Sequence, residues 1–423
     1  MHQTISKPQK MFATITPPGD RSISVRAAIL NSIALGDSVI QNYGSGADCY
    51  SAITVLKALG VKISRIDETS FAISGNQLRE PTNVLNAGNS GTVMRLMAGL
   101  LSAQEFFSVL SGDRSLRSRP MQRVITPLQE MGASISARSK NNLAPLAIQG
   151  RSLHGIEFDM PVASAQVKSS ILLAGLSADS KTIISQPDFS RDHTERMLKA
   201  MGLNVEANNL ELSLTPGSPR AIDVMIPADI SSASFWLVAA VCHPNAEIQI
   251  NNVGINPGRT GILDVLNTMG ADIEILNQRD QGGEPVADLR ARSSDLVGTE
   301  ISGSVIPRVQ DEIPVLALAA CFAKGTTVIK NAEELRVKES DRIQATVFEL
   351  KHLGAKISET TDGMVIDQVD SLTGSSCKSY GDHRMAMMLG IAGLLSNGET
   401  QVKGSECVGV TYPSFWDDLF GLC

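Results

Sequence analysis

The chain has 423 residues, which at roughly 100 to 200 residues per domain makes two or three domains. Hydrophobic residues make up 43% and charged residues 19%, so there is ample apolar surface to bury and wholesale disorder is excluded. Lysine plus arginine number 37 against 44 acidic residues, and the net charge of −7 excludes a surface built as a whole to attract nucleic acid or anionic lipid.

The first ten residues are too few and too polar for a secretory signal, and residues 11–16 alternate as a strand. A helix-ending phrase then recurs along the chain: LKALGVKI from Leu56, LQEMGASI from Leu128, LKAMGLNV from Leu198, LNTMGADI from Leu266 and LKHLGAKI from Leu350. In each, a glycine (Gly60, Gly132, Gly202, Gly270, Gly354) follows an apolar helical pattern and precedes alternating residues, as a helix C-cap running into a strand should. A second landmark, a polar turn opening a helix rich in small apolar residues, appears near Ser22, Ser90, Ser164, Ser231, Asp311 and Asp382. A short strand follows in each copy, such as SVIQN after Gly36 and TTVIKN after Gly325.

Both landmarks repeat about every 70 residues, which gives six units reading strand, helix, strand, helix, strand, strand. The sixth helix-ending phrase is cut short at residues 419–423. Six copies exceed one core and suit two lobes of three. The break is expected near Pro227, where residues 226–229 echo 17–20: one lobe would comprise 1–18 and 227–423, the other the inserted segment 19–226. The strand at 11–16 has no preceding unit and is expected to complete the last one.

The longest apolar run, residues 313–323, is short of the roughly 20 needed to span a bilayer. Six cysteines (Cys49, Cys242, Cys321, Cys377, Cys407, Cys423) show no C-x-x-C spacing and read as reduced thiols of a cytoplasmic protein. The six histidines lack metal-ligand spacing, so zinc is not expected.

A helix N-terminus offers free N–H groups and a positive dipole end to anions. Basic residues cluster at these turns (Arg21, Arg26, Arg95, Lys168, Arg384) and in separate polar phrases (Arg119, Arg191, Lys338, Arg342). On an acidic chain this placement points to small substrates carrying several negative charges. The phrase 336–342 could place Lys338 and Arg342 four apart on one helical face, with Glu339 at hand for proton transfer.

Seven phrases together carry a family resemblance: GNSGT at 88–92, GDRSLRSRPM at 112–121, ASAQVKSSILLAGL at 163–176, SRDHTERML at 190–198, DEIPVLALAA at 311–320, RVKESDRI at 336–343 and YGDHRMAMM at 380–388. In order and spacing the chain resembles the 5-enolpyruvylshikimate-3-phosphate synthase family. The resemblance implies an α/β fold of two lobes, each of three βαβαββ units, with a cleft between the lobes. It also implies transfer of the enolpyruvyl group of phosphoenolpyruvate to the 5-hydroxyl of shikimate 3-phosphate, with release of phosphate and with neither metal nor organic cofactor. By the same resemblance Ser22, Arg26, Ser164, Ala165, Gln166 and Lys168, with Arg191 nearby, would form or flank the shikimate 3-phosphate site. Gly91, Arg119, Gln166, Arg342 and Arg384 would hold phosphoenolpyruvate, with Arg21 and Lys338 able to reach both substrates. Asp311 would open its helix, bind the shikimate hydroxyls and act as general base; Glu339 and Lys338 would move protons.

Three positions depart from the family: Arg21 where lysine is usual, Val25 in place of His or Asn, and Val410 in place of a lysine. A related transferase acting on UDP-N-acetylglucosamine relies on a cysteine in the loop corresponding to 112–119, which has none here. A homologue that binds without turnover is the other alternative. Small anionic substrates are the expected partners, with no nucleic acid, no membrane and a monomeric state.

Overall fold

The computed structural model of the chain describes residues 1–75 and 77–422, and Cys423 lies outside them. Contacts divide the chain into two compact units: Met1–Pro18, Pro227–Arg279 and Pro285–Cys423 form one, and Gly19–Ile226 with Asp280–Glu284 form the other. The tip of the hairpin made by strands Asp272–Gln281 and Glu284–Arg292 thus groups with the inserted segment.

Among the described residues each unit is built around three helices that are buried on nearly every face beyond their first turns. In the inserted unit these are Arg21–Ser32, Gly91–Ser102 and Ala165–Gly175; in the other, Ile230–Cys242, Ile313–Ala320 and His383–Leu395. Their small residues allow close packing. A Cβ added to Gly99 would stand 2.0 Å from the Ser170 carbonyl oxygen of the neighbouring helix. Gly99→Ala is therefore expected to cost about 1–3 kcal/mol as the helices are pushed apart, read as a lower urea midpoint; an unchanged midpoint would refute the packing argument.

The second helix of each of the first five copies ends as the sequence pattern requires. Gly60, Gly132, Gly202, Gly270 and Gly354 all have φ between +86° and +96°, a left-handed conformation that residues with a side chain rarely adopt. The chain then turns into the antiparallel strand pair of each copy, as in Lys62–Arg65 with Phe71–Ser74.

Among the described residues the strands form six small sheets, and their pairing corrects one expectation. Strand Met11–Ile15 does not complete the last copy. It runs parallel to Ala246–Gly254 of the fourth, from Met11 opposite Ala246 to Ile15 opposite Ile250. The last copy is completed by His2–Ser6, antiparallel to Glu399–Lys403. The first copy takes its opening strand from the far end of the inserted segment, where Val224–Met225 pairs with Asp37–Gln41. Alternation marks a segment as a strand but leaves its partner open, because that is decided by which edge remains unpaired after the helices pack.

Among the described residues no helix is long and apolar enough to cross a membrane.

Candidate active site

In the inserted unit the first turns of the three central helices converge. Asp20, Ser90 and Ser164 cap them, accepting from the backbone N–H groups of Ile23, Val93 and Val167. Gln166 Nε2 donates to Thr92 Oγ1 at 3.0 Å, and Gln166 Oε1 accepts from Arg95, so two of the first turns are stitched together. Arg95 is buried, and its guanidinium is held down to about 9 by burial, with the charges of Arg123 and Arg119 adding to the effect. Gly91 leaves room for these cations: a Cβ there would lie 3.3 Å from Arg95 Nη1 and 3.5 Å from Arg119 Nη1. Arg119 Nη2 donates to Asn89 Oδ1 at 2.8 Å, and Asn89 Nδ2 in turn to Asp113 Oδ2 at 2.6 Å. Two guanidinium groups over a glycine at a helix N-terminus make a pocket suited to an anion.

Arg26 lies deeper. Its Nε donates to Thr194 Oγ1 at 2.8 Å, Nη1 to the Ser22 carbonyl at 2.9 Å and Nη2 to Ser169 Oγ at 3.0 Å. Burial lowers this guanidinium to about 10. Its geometry braces the backbone at Ser22 from below. Arg21 is partly exposed, and its Nη1 stands 3.7 Å from Asp48 Oδ2. Val25 is buried among the core residues of this unit. Ser164, Ala165 and Arg191 are half-buried beside the same helix ends.

A strained turn supports the arginine loop. Ser139, Lys140 and Asn141 have φ of +55°, +57° and +62°, three consecutive non-glycine residues in the left-handed region. The turn aims Arg138 at the Arg117 carbonyl, 2.9 Å away in the loop that carries Arg119. A left-handed residue costs about 1–2 kcal/mol and glycine costs about 0.5–1 through the unfolded chain, so Lys140→Gly should raise stability by about 0.5–1 kcal/mol. A thermal melt that falls instead would show the strain to be absent.

In the other unit the centre is Arg342. Only 2% of its side chain is exposed, yet it faces three carboxylates: Asp382 Oδ2 at 2.8 Å from Nε, Glu339 Oε2 at 2.7 Å from Nη2 and Asp311 Oδ1 at 3.3 Å from Nη1. Burial alone would lower its pKa, but the three negative charges outweigh that and raise it above the usual arginine value. Asp382 is fully buried; besides Arg342 it accepts from Ser340 Oγ at 3.0 Å and from the Arg384 backbone N–H at 2.8 Å, capping the helix His383–Leu395. Lys338 Nζ donates to Gln310 Oε1 at 2.9 Å and lies 3.8 Å from Glu334. Asp311, Glu339 and Lys338 are thereby gathered around one guanidinium and its neighbours, and all three remain partly exposed to a reactant.

Two local expectations are corrected. Lys338 and Arg342 do not share a helical face, because Asp341 caps the helix at Arg342, accepting from Gln344 N–H at 3.0 Å, while Lys338 is extended. Asp311 does not open its helix either. It lies in the preceding turn, and Glu312 occupies the capping position.

Glu312 was not expected. It is buried, accepts from Ser231 Oγ, and is raised in pKa by burial and by adjacent Asp311, against the pull of Arg259 and Arg384. Arg259 Nη2 donates to Ser231 Oγ at 2.7 Å and to Asp229 Oδ1 at 3.1 Å, and Arg384 Nη1 donates to the Ser231 carbonyl at 3.2 Å. This network holds Arg384 against the helix Ile230–Cys242. Val410, at the end of a 3-10 segment, is 37% exposed. Among the described residues no group of three or more His, Cys, Asp or Glu side chains is placed to hold a metal ion.

The model of the EPSP synthase (3-phosphoshikimate 1-carboxyvinyltransferase) family matches residues 5–419. A 3-phosphoshikimate 1-carboxyvinyltransferase of Herpetosiphon aurantiacus is 49% identical over 422 residues, 98% of each chain. Another from Gloeothece citriformis is 52% identical over 416 residues, 97% of this chain and 93% of that one. A solved structure of EPSP synthase from Acinetobacter baumannii superposes with a TM-score of 0.93 at 39% identity, covering 100% of this chain and 98% of that one. A match of this length in sequence and in fold leaves one assignment: the chain belongs to the EPSP synthase (3-phosphoshikimate 1-carboxyvinyltransferase) family.

Proposed function

We propose that the protein transfers the enolpyruvyl group of phosphoenolpyruvate to the 5-hydroxyl of shikimate 3-phosphate. The 5-oxygen bonds to C2 of phosphoenolpyruvate as C3 takes a proton, giving a tetrahedral intermediate. Loss of a C3 proton and departure of phosphate then restore the C2–C3 double bond and give the enol ether. Asp311 removes the proton of the 5-hydroxyl, while Glu339 and Lys338 serve C3 and the leaving phosphate. Arg342 and Arg384 bind phosphoenolpyruvate together with Gly91, Arg119 and Gln166. Ser22, Ser164, Ala165, Gln166 and Arg191 bind shikimate 3-phosphate, with Arg26 bracing Ser22, and Arg21 and Lys338 serve both substrates.

The observation that best supports this reading is the clustering of Asp311, Glu339 and Asp382 on the buried Arg342, with Lys338 alongside: a cation that cannot give up its charge, beside groups that can exchange protons. The test is phosphate release by the purified protein with phosphoenolpyruvate and shikimate 3-phosphate, with UDP-N-acetylglucosamine as rival acceptor. Release only with shikimate 3-phosphate is expected, and release only with the rival would overturn the reading. We further place the protein in the cytoplasm, and read it as a monomer, a state that light scattering on the purified chain would check.

A further inference from the structure

We infer that Lys168 and Glu195 are positioning residues for shikimate 3-phosphate, acting through the loop that ends in Arg191. The inference rests on the assignment of Arg191 to that substrate.

Lys168 closes the first turn of the helix Ala165–Gly175 with 1% of its side chain exposed. Its ammonium has three donors and three acceptors within reach: Glu195 Oε1 at 2.6 Å, the Ser190 carbonyl at 3.3 Å and Gln186 Oε1 at 3.4 Å. Gln186 Oε1 also accepts from Ser190 Oγ at 2.8 Å. One buried cation therefore ties both ends of the exposed loop 187–189, and the residue after the tied Ser190 is Arg191. Glu195 fixes the cation in turn. It sits in the first turn of the helix His193–Ala200, where the dipole favours a carboxylate, and it is itself buried. Arg26 links the pair to the ligand side: its charge is favoured by Glu195 and opposed by Arg191, so all three groups share one locality.

A buried ion pair is weak support for stability, since apolar residues of like volume often serve as well. A lysine that spends all its donors on one loop and one carboxylate makes sense as an alignment device. It sets the backbone from which Arg191 reaches an anion, and a misplacement on the order of 1 Å there would cost binding.

The test is steady-state kinetics of the full chain with each substrate varied, on Lys168→Met, Glu195→Gln, the double variant and Arg191→Ala. Lys168→Met and the double variant should raise KM for shikimate 3-phosphate about tenfold or more, while KM for phosphoenolpyruvate stays within about twofold. Each single variant leaves a buried charge unpaired, so the double should melt higher than either. Its KM should nevertheless remain raised, which a purely structural pair would not produce. A folded double variant with an unchanged KM for shikimate 3-phosphate overturns the inference, as does a parallel rise in both KM values. If Arg191→Ala alone raises that KM, the substrate assignment stands and the positioning role fails; if Arg191→Ala has no effect, the assignment itself fails.

Discussion

Asp311→Ala and Asp311→Asn should each lower kcat by about 10²- to 10⁴-fold, the range expected when a general base is lost, with the fold intact. The carboxylate lies 3.3 Å from Arg342 and its side chain is about one-quarter exposed, so it is both oriented by the guanidinium and open to a hydroxyl. Asparagine keeps an oxygen for Arg342 but cannot take a proton. Arg342 would also retain Glu339 and Asp382, so little stability should be lost. Phosphate release under saturating substrates measures the effect. An asparagine variant keeping more than about a tenth of the activity would remove Asp311 from the role of base.

Asp382→Ala should be the most damaging change to stability in its unit, at about 3–5 kcal/mol. One fully buried carboxylate caps the helix His383–Leu395, binds Ser340 and carries two hydrogen bonds from Arg342. Cap loss alone costs about 1 kcal/mol, and removing the one fully buried carboxylate on Arg342, with both its hydrogen bonds, from a 2% exposed site accounts for the larger share. The losses share partners and do not add in full. Urea unfolding followed by the fluorescence of Trp236 and Trp416, both in this unit, would report it. A shift below about 1 kcal/mol would mean that Glu339 and Asp311 suffice to hold Arg342.

The parts of the fold carried by local chemistry were legible. Gly60 through Gly354 read as C-caps, and φ of +86° to +96° follows directly from the absence of a side chain. The helices opened by polar turns read as rich in small apolar residues, the composition that lets them pack on nearly every face. What failed was non-local. Nothing in residues 11–15 says that they pair with 246–250 rather than with the last copy, since both edges accept an alternating strand. In the site, residue types were readable but their partners were not. Glu312 and Asp382 each stand beside an apolar run, where an acid reads as a helix cap; that they also organise Ser231 and Arg342 depends on chain segments tens of residues away. Spacing alone puts Lys338 on one helical face with Arg342, whereas Asp341, just before Arg342, is the capping residue that starts the helix after Lys338. Thr194 and Glu195 lie within SRDHTERML at 190–198, yet only packing shows that they serve Arg26 and Lys168.

The exchange of opening strands bears on how the chain is made. A ribosome releases residues 2–6 and 11–15 first, yet their sheet partners are 399–403 and 246–250. The inserted segment can close its own sheets once Val224–Met225 has emerged. Strand 11–15, with Met11 and Ile15, must wait for 246–250, and strand 2–6, with Ile5, must wait unpaired until 399–403 has emerged. Such a stretch of unpaired strand is a natural client for holdase chaperones, and refolding from denaturant should show the inserted unit ahead of its companion.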